Sequence, residues 1–466
     1  MSLRRPNGFI SAGYDPLEVP NAPTIGTATA TGPTSLSVTF TAPSNVGGSA
    51  ITGYVATAKK TSDGTTISGT GSSSPVTISG LTTGDAYTVT VAAVNSFGLG
   101  VSSVASNSVT PLGQELYSWG SNGSGQLGQN NTTSLSSPVQ VGAQNDWQLT
   151  MSGDNSNPFS AAIKINGTLW SWGANGQGQL GQGNTTAQSS PVQVGALTNW
   201  YEVAGGNAFC VAVKTDGTLW SWGTNGSGQL GQNNNTSLNS PVQVGSLTNW
   251  AQVACQPNSS FAIKTNGTMW AWGNNVDGVL GLNNTTYYSS PKQIGSLTNW
   301  SQISAGDRFC AAVKTDGTLW TWGRKTPALG LNADVYRSSP TQVGALTNWF
   351  KVSTGYSHCV AVKTDGTLWT WGPAQSGQIG KNNAVSYSSP VQVGALTDWA
   401  NVTAGYQSCF AIKTTGSLWS WGRNNEGQLG QNDTANRSSP VQVGAINTWA
   451  RLPRMLTARQ VLAIRG

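Results

Sequence analysis

The chain has 466 residues, of which only 9% are charged, and it contains 59 glycines and 20 tryptophans. So many aromatic residues with so few charges exclude an intrinsically disordered chain, and the abundant glycine favours an all-β protein with many turns. The formal net charge is +6, but the basic residues are scattered and form no cluster interleaved with free aromatics, so we expect no nucleic-acid binding.

The N-terminal segment, MSLRRPNGFISAGYDPLEVP, has a basic pair but no apolar stretch behind it, so it does not fit a secretory signal peptide. Its prolines oppose regular structure, and we expect residues 1–20 to form an extended arm. No apolar run along the chain is long enough to cross a bilayer, so we expect no membrane insertion.

Residues 21–111 alternate apolar and polar side chains in short stretches such as SLSVTFTAP and AYTVTVAAVN. Short alternating strands at close spacing predict a β-sandwich. The segments PSNVGGSAITGYVAT, ISGLTTGDAYTVTVAAVNSFG and SVTP resemble a fibronectin type III domain, with Leu81 and Tyr87 where that family places its tyrosine corner. The segment lacks the tryptophan that many family members carry, and Tyr54 is expected to fill part of that volume.

Residues 112–466 repeat, and two tryptophan series mark the repeat. The first series opens a Trp-Gly dipeptide at positions 119, 172, 222, 272, 322, 371 and 421. The second series lies at positions 147, 200, 250, 300, 349, 399 and 449. A fixed period of about fifty residues is typical of a solenoid or a propeller.

Each repeat contains four candidate strands, which in one unit start at WYEVAG, FCVAVK, TLWSWG and PVQVG. The segment CVAVK is apolar at successive positions, so we expect it to be covered on both faces, as neighbouring blades of a propeller would cover it. The TDG between the second and third strands predicts a tight hairpin with positive φ at both central residues.

The two ends of the repeat region complement each other. The closing QVLAIRG aligns with CVAVKTDG, and the opening GQELYSWG aligns with GTLWSWG. Pairing of Gln460–Arg465 with Leu116–Gly120 would therefore complete one unit and close seven units into a ring without exposed sheet edges.

The recurring W…VAGG…FCVAVKTDGTLWSWGTNGSGQLGQ…SPVQV resembles the RCC1 family, the regulator of chromosome condensation repeats. That resemblance implies a seven-bladed β-propeller of four-stranded blades over residues 112–466. All twenty tryptophans fall in three repeat positions. Since each would bury roughly 150–250 Å², we interpret them as blade core rather than as ligand platforms.

Residues suited to catalysis or metal binding are scarce. His358 is the sole histidine, so we expect no zinc site. Four of the five cysteines share one strand position that is otherwise Ser or Val, which indicates buried thiols. No close carboxylate pair and no nucleophile motif is present. We therefore predict a protein that is not an enzyme and has no catalytic residue, bound metal or cofactor.

Two loops differ most between repeats, and both gain Tyr and Arg, which are typical binding anchors. One precedes the SSP segment and the other follows the first strand of each repeat. Either loop binds a partner, or the variation is drift on an exposed rim. The candidates are Tyr287, Tyr288, Tyr336, Arg337, Tyr387 and Arg437 in the first loop, and Arg308, Tyr356 and Tyr406 in the second.

The stretch RRPNGFISAGYDPLEVPNAPTIGTAT resembles the start of bacteriophage structural proteins that carry fibronectin-type domains. The resemblance implies a protein on the external surface of a virion. Its arm would bind capsid or tail proteins, and its propeller would face a host-surface glycan or protein. The side chains expected to anchor the arm are Arg4, Arg5, Phe9, Ile10 and Tyr14.

Two other functional classes stay open. A secreted or surface bacterial binding or inhibitor protein with an RCC1-like propeller would be extracellular, although the N-terminus does not fit a signal peptide. The nucleotide-exchange or chromatin-binding role of RCC1 itself fits poorly with the fibronectin-type domain, the lack of a basic tail and the near-uniform repeats.

Overall fold

The structure is a computed structural model that describes residues 18–111, 113–333, 335–453 and 458–466. Residue contacts divide the chain into two compact units, with the division between Gln114 and Glu115. The candidate anchoring residues at positions 4, 5, 9, 10 and 14 lie outside the described residues. Within the described ranges, no helix is long and apolar enough to span a bilayer.

The first unit is a sandwich of two antiparallel sheets, as predicted. The hydroxyl of Tyr87 accepts a hydrogen bond from the backbone N–H of Thr82 at 3.0 Å, which is the tie of a tyrosine corner. Tyr54 is buried and lies 4.6 Å from Phe40 between ring centroids, so it fills core volume. The sheets have strand orders 1-2-5 and 4-3-6-7. In chain order these seven strands are Thr24–Gly32, Ser35–Thr41, Gly53–Lys60, Thr66–Gly71, Val76–Ser79, Tyr87–Asn95 and Gly98–Leu99.

The second unit consists of seven antiparallel four-stranded sheets, each of which is one blade. We number the blades by their Trp-Gly dipeptides, from Trp119 in blade 1 to Trp421 in blade 7. Within a blade, strands a to d run from the innermost to the outermost, because the a strands of neighbouring blades contact one another around the axis. Blade 1 contains Trp449–Arg451, Gln460–Arg465, Glu115–Gly120 and Leu135–Gln140.

The remaining blades follow in chain order, each with strands a to d. Blade 2 contains Trp147–Ser152, Phe159–Lys164, Leu169–Gly173 and Gln188–Gln193. Blade 3 contains Trp200–Gly205, Phe209–Lys214, Leu219–Gly223 and Leu238–Gln243. Blade 4 contains Trp250–Gln256, Ser259–Lys264, Met269–Gly273 and Tyr288–Gln293. Blade 5 contains Trp300–Ala305, Phe309–Lys314, Leu319–Gly323 and Arg337–Gln342. Blade 6 contains Trp349–Thr354, Cys359–Lys363, Leu368–Gly372 and Tyr387–Gln392. Blade 7 contains Trp399–Ala404, Ser408–Lys413, Leu418–Gly422 and Arg437–Gln442. A short 3-10 helix, Pro327–Leu329, replaces the GxGQLG motif in blade 5.

Blade 1 joins the two ends of the repeat region and closes the ring, as the sequence predicts. Strand Gln460–Arg465 pairs antiparallel with Glu115–Gly120, from Gln460 opposite Gly120 to Arg465 opposite Glu115. Arg465 takes the place of the repeat lysine, and its guanidinium donates to the Tyr117 hydroxyl at 3.2 Å. Both edges of the C-terminal strand are paired, so the joint leaves none exposed.

The GxGQLG motif holds neighbouring blades together. The indole N–H of Trp222 in blade 3 donates to the carbonyl of Gln179 in blade 2 at 2.9 Å. Gly181, two residues later, has φ +69°, and a Cβ there would lie 2.9 Å from the indole nitrogen of Trp222. The motif therefore turns the chain in a way that needs glycine and leaves a slot for the next tryptophan. An indole donor and a carbonyl acceptor at the same repeat positions recur at every blade boundary, including Trp119 of blade 1 to Gln428 of blade 7.

The hairpin between strands b and c is confirmed, but the predicted turn geometry is wrong. In blade 3 the predicted central residues are Asp216 and Gly217, and only Gly217 has a positive φ, which is +76°. Its N–H donates to the Lys214 carbonyl at 2.9 Å. The Asp216 carboxylate accepts the Thr218 N–H at 3.0 Å, which holds a type I turn followed by a left-handed glycine.

In blades 2 to 7 the repeat lysine lies against two tryptophans at this end of the blade. The Nζ atom of Lys214 is 4.9 Å from the ring centroid of Trp200 and 3.6 Å from that of Trp220. Burial lowers the pKa of Lys214, and the cation–π contacts offset part of the lost hydration.

The interpretation of the tryptophans as core holds for two of their three positions. Those that open strand a, and those of the Trp-Gly dipeptides, are buried. The tryptophans that follow the first residue of strand c keep part of their surface in solvent. These half-buried residues are Trp170, Trp220, Trp270, Trp320, Trp369 and Trp419.

Candidate functional site

Both variable loops lie at the same end of the blades. In blade 4, Ser259 of strand b pairs with Gly273 of strand c, which pairs with Tyr288 of strand d. The loop from strand a to b and the loop from strand c to d therefore leave the blade at one end, which we call the loop face. The opposite end carries the b–c hairpins and the linkers between blades.

The a–b loops surround a pocket at the axis of the ring, which we call the axial pocket. Six blades contribute residues to its wall, because the a–b loops extend from the innermost strands. Its volume is about 360 Å³, which is within the range of ligand sites. Its wall includes Asp154, Gln256, Asp277, Asp307, Arg308, Tyr356 and Tyr406.

Blades 6 and 7 supply an aromatic part of the wall. Tyr356 and Tyr406 stack with ring centroids 4.6 Å apart and ring planes at 39°. The guanidinium of Arg459 lies 5.1 Å from the Tyr406 centroid and that of Arg423 lies 5.6 Å away. Arg459 is also paired with Glu426 at 3.3 Å. Stacked tyrosines beside arginines are the side chains that dominate many protein interfaces.

Blades 2, 4 and 5 supply a charged part of the wall. Arg308 lies 3.5 Å from the Asp277 carboxylate and 3.7 Å from that of Asp307. Burial raises the pKa of Asp154 and the pKa of Asp307. At Asp307 the positive charge of Arg308 opposes this rise, and the negative charges of Asp154 and Asp277 add to it. The negative charge of Asp307 raises the pKa of Tyr356. A cationic group from a partner would be stabilised by these carboxylates.

The structure does not gather the candidates of the first loop. They lie one or two to a blade, at or just before the first residue of the outermost strand. Tyr287 and Tyr336 are 48% and 56% exposed. The Tyr288 hydroxyl accepts a hydrogen bond from Asn284 of its own blade at 3.2 Å. The half-buried members of this set are Tyr288, Arg337, Tyr387 and Arg437.

His358 follows the second loop but does not reach the axial pocket. It is fully buried, and its Nε2 lies 3.1 Å from the Cys409 thiol of the next blade. Burial lowers the pKa of His358 to about 4, so the ring is neutral at pH 7. It fills the position of Phe309 in blade 5, which favours the packing interpretation.

The cysteines and carboxylates form no reactive or metal-binding group among the described residues. All five cysteines are buried and unpaired. Burial raises the pKa of Cys409 well above its usual range, so the thiol stays protonated. Cys255 belongs to the strand Trp250–Gln256. Within the described ranges, no three His, Cys, Asp or Glu residues lie together as metal ligands would.

The sequence indicated three members of the axial pocket and missed two of its carboxylates. Arg308, Tyr356 and Tyr406 were found because they depart from small residues at matching repeat positions. Asp154 and Asp277 depart in the same way, since blade 3 carries Asn207 and Ser227 there. A comparison of every loop position, and not only of Tyr and Arg, would have found them.

Comparison with known families agrees with this architecture. The sequence profile of the RCC1-like domain matches residues 96–397, which is more than half of the chain. The chain belongs to the RCC1-like domain family. Profiles of the RCC1 repeat also match residues 399–428 and 415–451. The fibronectin type III profile matches residues 21–109.

Solved structures share the fold of the RCC1-like propeller. Prp20p from Saccharomyces cerevisiae matches with a TM-score of 0.67 and 18% identity, over 76% of this chain and 91% of that one. Human WBSCR16 matches with a TM-score of 0.68 and 19% identity, over 76% of this chain and 99% of that one. At these identities the likeness shows the fold alone.

Curated relatives match over a shorter stretch. The protein RCC2 homolog of Danio rerio is 37% identical over 81 residues, which is 17% of this chain and 16% of the relative. The ultraviolet-B receptor UVR8 of Arabidopsis thaliana is 33% identical over 87 residues, which is 18% of this chain and 19% of the relative. The chain thus spans less than a fifth of either relative.

Proposed function

We propose that the protein is a non-enzymatic binding protein displayed on the outside of a bacteriophage virion. In this role residues 1–20 bind capsid or tail proteins, and the RCC1-like propeller faces outward and attaches the particle to a protein on the host surface. The role requires no cofactor, no membrane insertion and no nucleic-acid binding.

The observation that carries the binding role is the convergence at the axial pocket. Arg308, Tyr356 and Tyr406 are far apart in sequence, yet they line one pocket beside Asp154 and Asp307. Tyrosine and arginine often carry the largest share of binding energy at protein interfaces. The half-buried carboxylates suit a basic side chain of the partner, because a cation there would favour their ionised form.

Two sets of tyrosine variants test the binding role. Replacing Tyr356 and Tyr406 by alanine should lower the affinity of the labelled protein for host cells at least tenfold, about 1.4 kcal/mol or more. The matched control replaces Tyr288, Tyr336 and Tyr387 by alanine, and we expect it to bind as the unmodified protein does. The thermal midpoint of each variant shows whether it stays folded.

The two variants separate the candidate loops. Weaker binding in the control with normal binding in the axial variant would move the partner to the strand-d candidates. Unchanged binding in both variants, with both folded, would remove the loop face as the attachment surface.

The virion location rests on the resemblance of the N-terminal stretch to phage structural proteins, and it needs its own experiment. Mass spectrometry of purified virions should detect this chain. Deleting residues 1–20 should release the protein from particles while both units keep their thermal transitions. Purified virions without the chain would contradict the proposal.

The alternative is a secreted or surface bacterial binding or inhibitor protein. The RCC1-like propeller and the axial pocket would serve that role equally well. Fractionation of bacteria that produce no phage decides between the two, because only the alternative places the chain in their medium or on their surface.

A further inference from the structure

Pockets of one kind recur on the outer flank of the ring, where one blade meets the next; we call them flank pockets. Three of them lie between blades 2 and 3, 4 and 5, and 5 and 6, with volumes of about 480, 290 and 330 Å³. In the first, the wall combines Leu197 and Gln193 of the preceding segment with Trp200, Trp220 and Pro241 of blade 3. Equivalent residues line the other two.

The lining is apolar, aromatic and uncharged. Trp220 is half-buried, so part of its ring faces the pocket, and it also contacts Lys214, Trp200 and Thr218. Leu197 is 46% exposed at the edge. No charged side chain lines any of the three pockets. An occupant is therefore neutral and has an apolar face to lay against the tryptophan.

Polar groups accompany the apolar surface. Gln193 donates one amide hydrogen to the Gly195 carbonyl at 3.0 Å, which holds the side chain and keeps its oxygen as an acceptor. The indole nitrogens of Trp200, Trp300 and Trp349 are buried and have no hydrogen-bond acceptor among the described residues. Each of these tryptophans lines one flank pocket and is at least 97% buried. The four other tryptophans that open strand a have the same unpaired indole nitrogen, so this feature belongs to the repeat, and the polar group that the pocket offers to an occupant is the glutamine oxygen.

We propose that each flank pocket binds one or two rings of a neutral saccharide. A sugar ring has an apolar face for the half-buried tryptophan and hydroxyls that can donate to the glutamine oxygen. The pocket volumes fit a small ligand rather than a length of polypeptide. Repetition around the ring allows several weak sites to hold one glycan chain together.

This proposal is independent of the axial pocket. The flank pockets share no lining residue with it and lie between blades rather than on the axis. A protein partner at the axial pocket and a glycan on the flank could be bound at the same time, and each can fail without the other.

Saturation-transfer NMR on the full chain tests the proposal with three neutral disaccharides: lactose, cellobiose and N,N′-diacetylchitobiose. At least one should receive saturation from the protein at millimolar concentration. The flank variant replaces the exposed Leu197, Leu297 and Leu346 by aspartate, and the transferred signal should fall at least fivefold. Because these leucines are 46%, 44% and 48% exposed, the thermal midpoint should stay within a few degrees.

The control variant replaces Val276, Val335 and Val385 on the loop face by aspartate, and it should keep the full signal. No transfer to any of the three sugars would overturn the proposal, as would an unchanged signal in the flank variant. A loss in the control alone would place the sugar on the loop face, where Val276 lines the axial pocket, and would overturn the proposal. Transfer to the peptide acetyl-Leu-Pro-amide and to no sugar would show that the pockets take protein side chains instead.

Discussion

At the scale of single residues, the glycine that ends each GxGQLG motif decides whether neighbouring blades fit. Gly231 has φ +72°, and a Cβ there would lie 2.8 Å from the indole nitrogen of Trp272. Gly231→Ala should therefore destabilise the propeller by about 2–4 kcal/mol, through left-handed strain and overpacking together. Tryptophan fluorescence during urea unfolding measures this, because all twenty tryptophans lie in the propeller.

The same loop supplies the control for that prediction. Gly226 has no positive φ, and a Cβ there would meet nothing within 4 Å. Gly226→Ala should change the unfolding free energy by less than about 0.5 kcal/mol. Equal effects of the two substitutions would mean that the slot for the tryptophan is not tight.

His358 should make the propeller sensitive to acid. Burial lowers the pKa of His358 to about 4 in the folded protein, whereas an unfolded histidine titrates near 6.5. As the pH falls from about 6.5 towards 4, the unfolded chain takes up a proton that the folded chain does not. The unfolding free energy then drops by up to about 3 kcal/mol, and no such loss occurs above pH 7.

His358→Phe removes this titration while filling the same buried position, as Phe309 does in blade 5. The unfolding free energy of the variant minus that of the unmodified protein should rise by about 2–3 kcal/mol between pH 7 and pH 4.5. Groups other than His358 titrate in both proteins and cancel in the difference. A constant difference across this range would show that the ring is not buried as described.

At the scale of the blade, the repeat lysine has an acidic partner in some blades and not in others. In blade 2 the Lys164 ammonium is paired with Asp146 at 3.0 Å. In blade 4 the matching residue is Asn249, and burial lowers the pKa of Lys264. Asn249→Asp should raise that pKa and stabilise the propeller by about 0.5–1 kcal/mol at pH 7, since the aspartate would stay partly exposed.

Urea unfolding at pH 7 and pH 3 measures the gain, which should vanish at pH 3 because the new carboxylate is then protonated. The reciprocal control, Asp146→Asn in blade 2, should lose a similar amount at pH 7. A gain that persists at pH 3 would show that the effect is not an ion pair.

The elements were more predictable than the site, for a physical reason. Strands were predictable because their pattern is local, and the TDG hairpin followed from three adjacent residues. The turn geometry was missed because the Asp216 carboxylate binds the Thr218 N–H and stabilises a turn that Asp-Gly statistics do not favour. The axial pocket depends on loops from six blades, and their convergence follows from the closed ring rather than from any one loop.

At the scale of the whole molecule, stability depends on the strand that joins the two ends of the repeat region. Here strand Gln460–Arg465 lies between two other strands of blade 1, and Leu462 is fully buried opposite Ser118. The sequence predicted this joint because its two ends are complementary halves of one repeat.

A closed ring requires that Leu462, four residues from the C-terminus, behaves as a core residue. Leu462→Ala should destabilise the propeller by about 2–5 kcal/mol, because it leaves a cavity. The strand is paired on both edges and cannot move to fill it. Leu197→Ala is the matched control, since that leucine is 46% exposed, and it should change stability by less than about 0.5 kcal/mol. If the two substitutions had equal, small effects on the fluorescence transition, the last strand would be frayed and the ring open in solution. A large effect of Leu462→Ala alone would mean that blade 1 contributes to the unfolding free energy as the other blades do, because opening it exposes the apolar faces of blades 2 and 7.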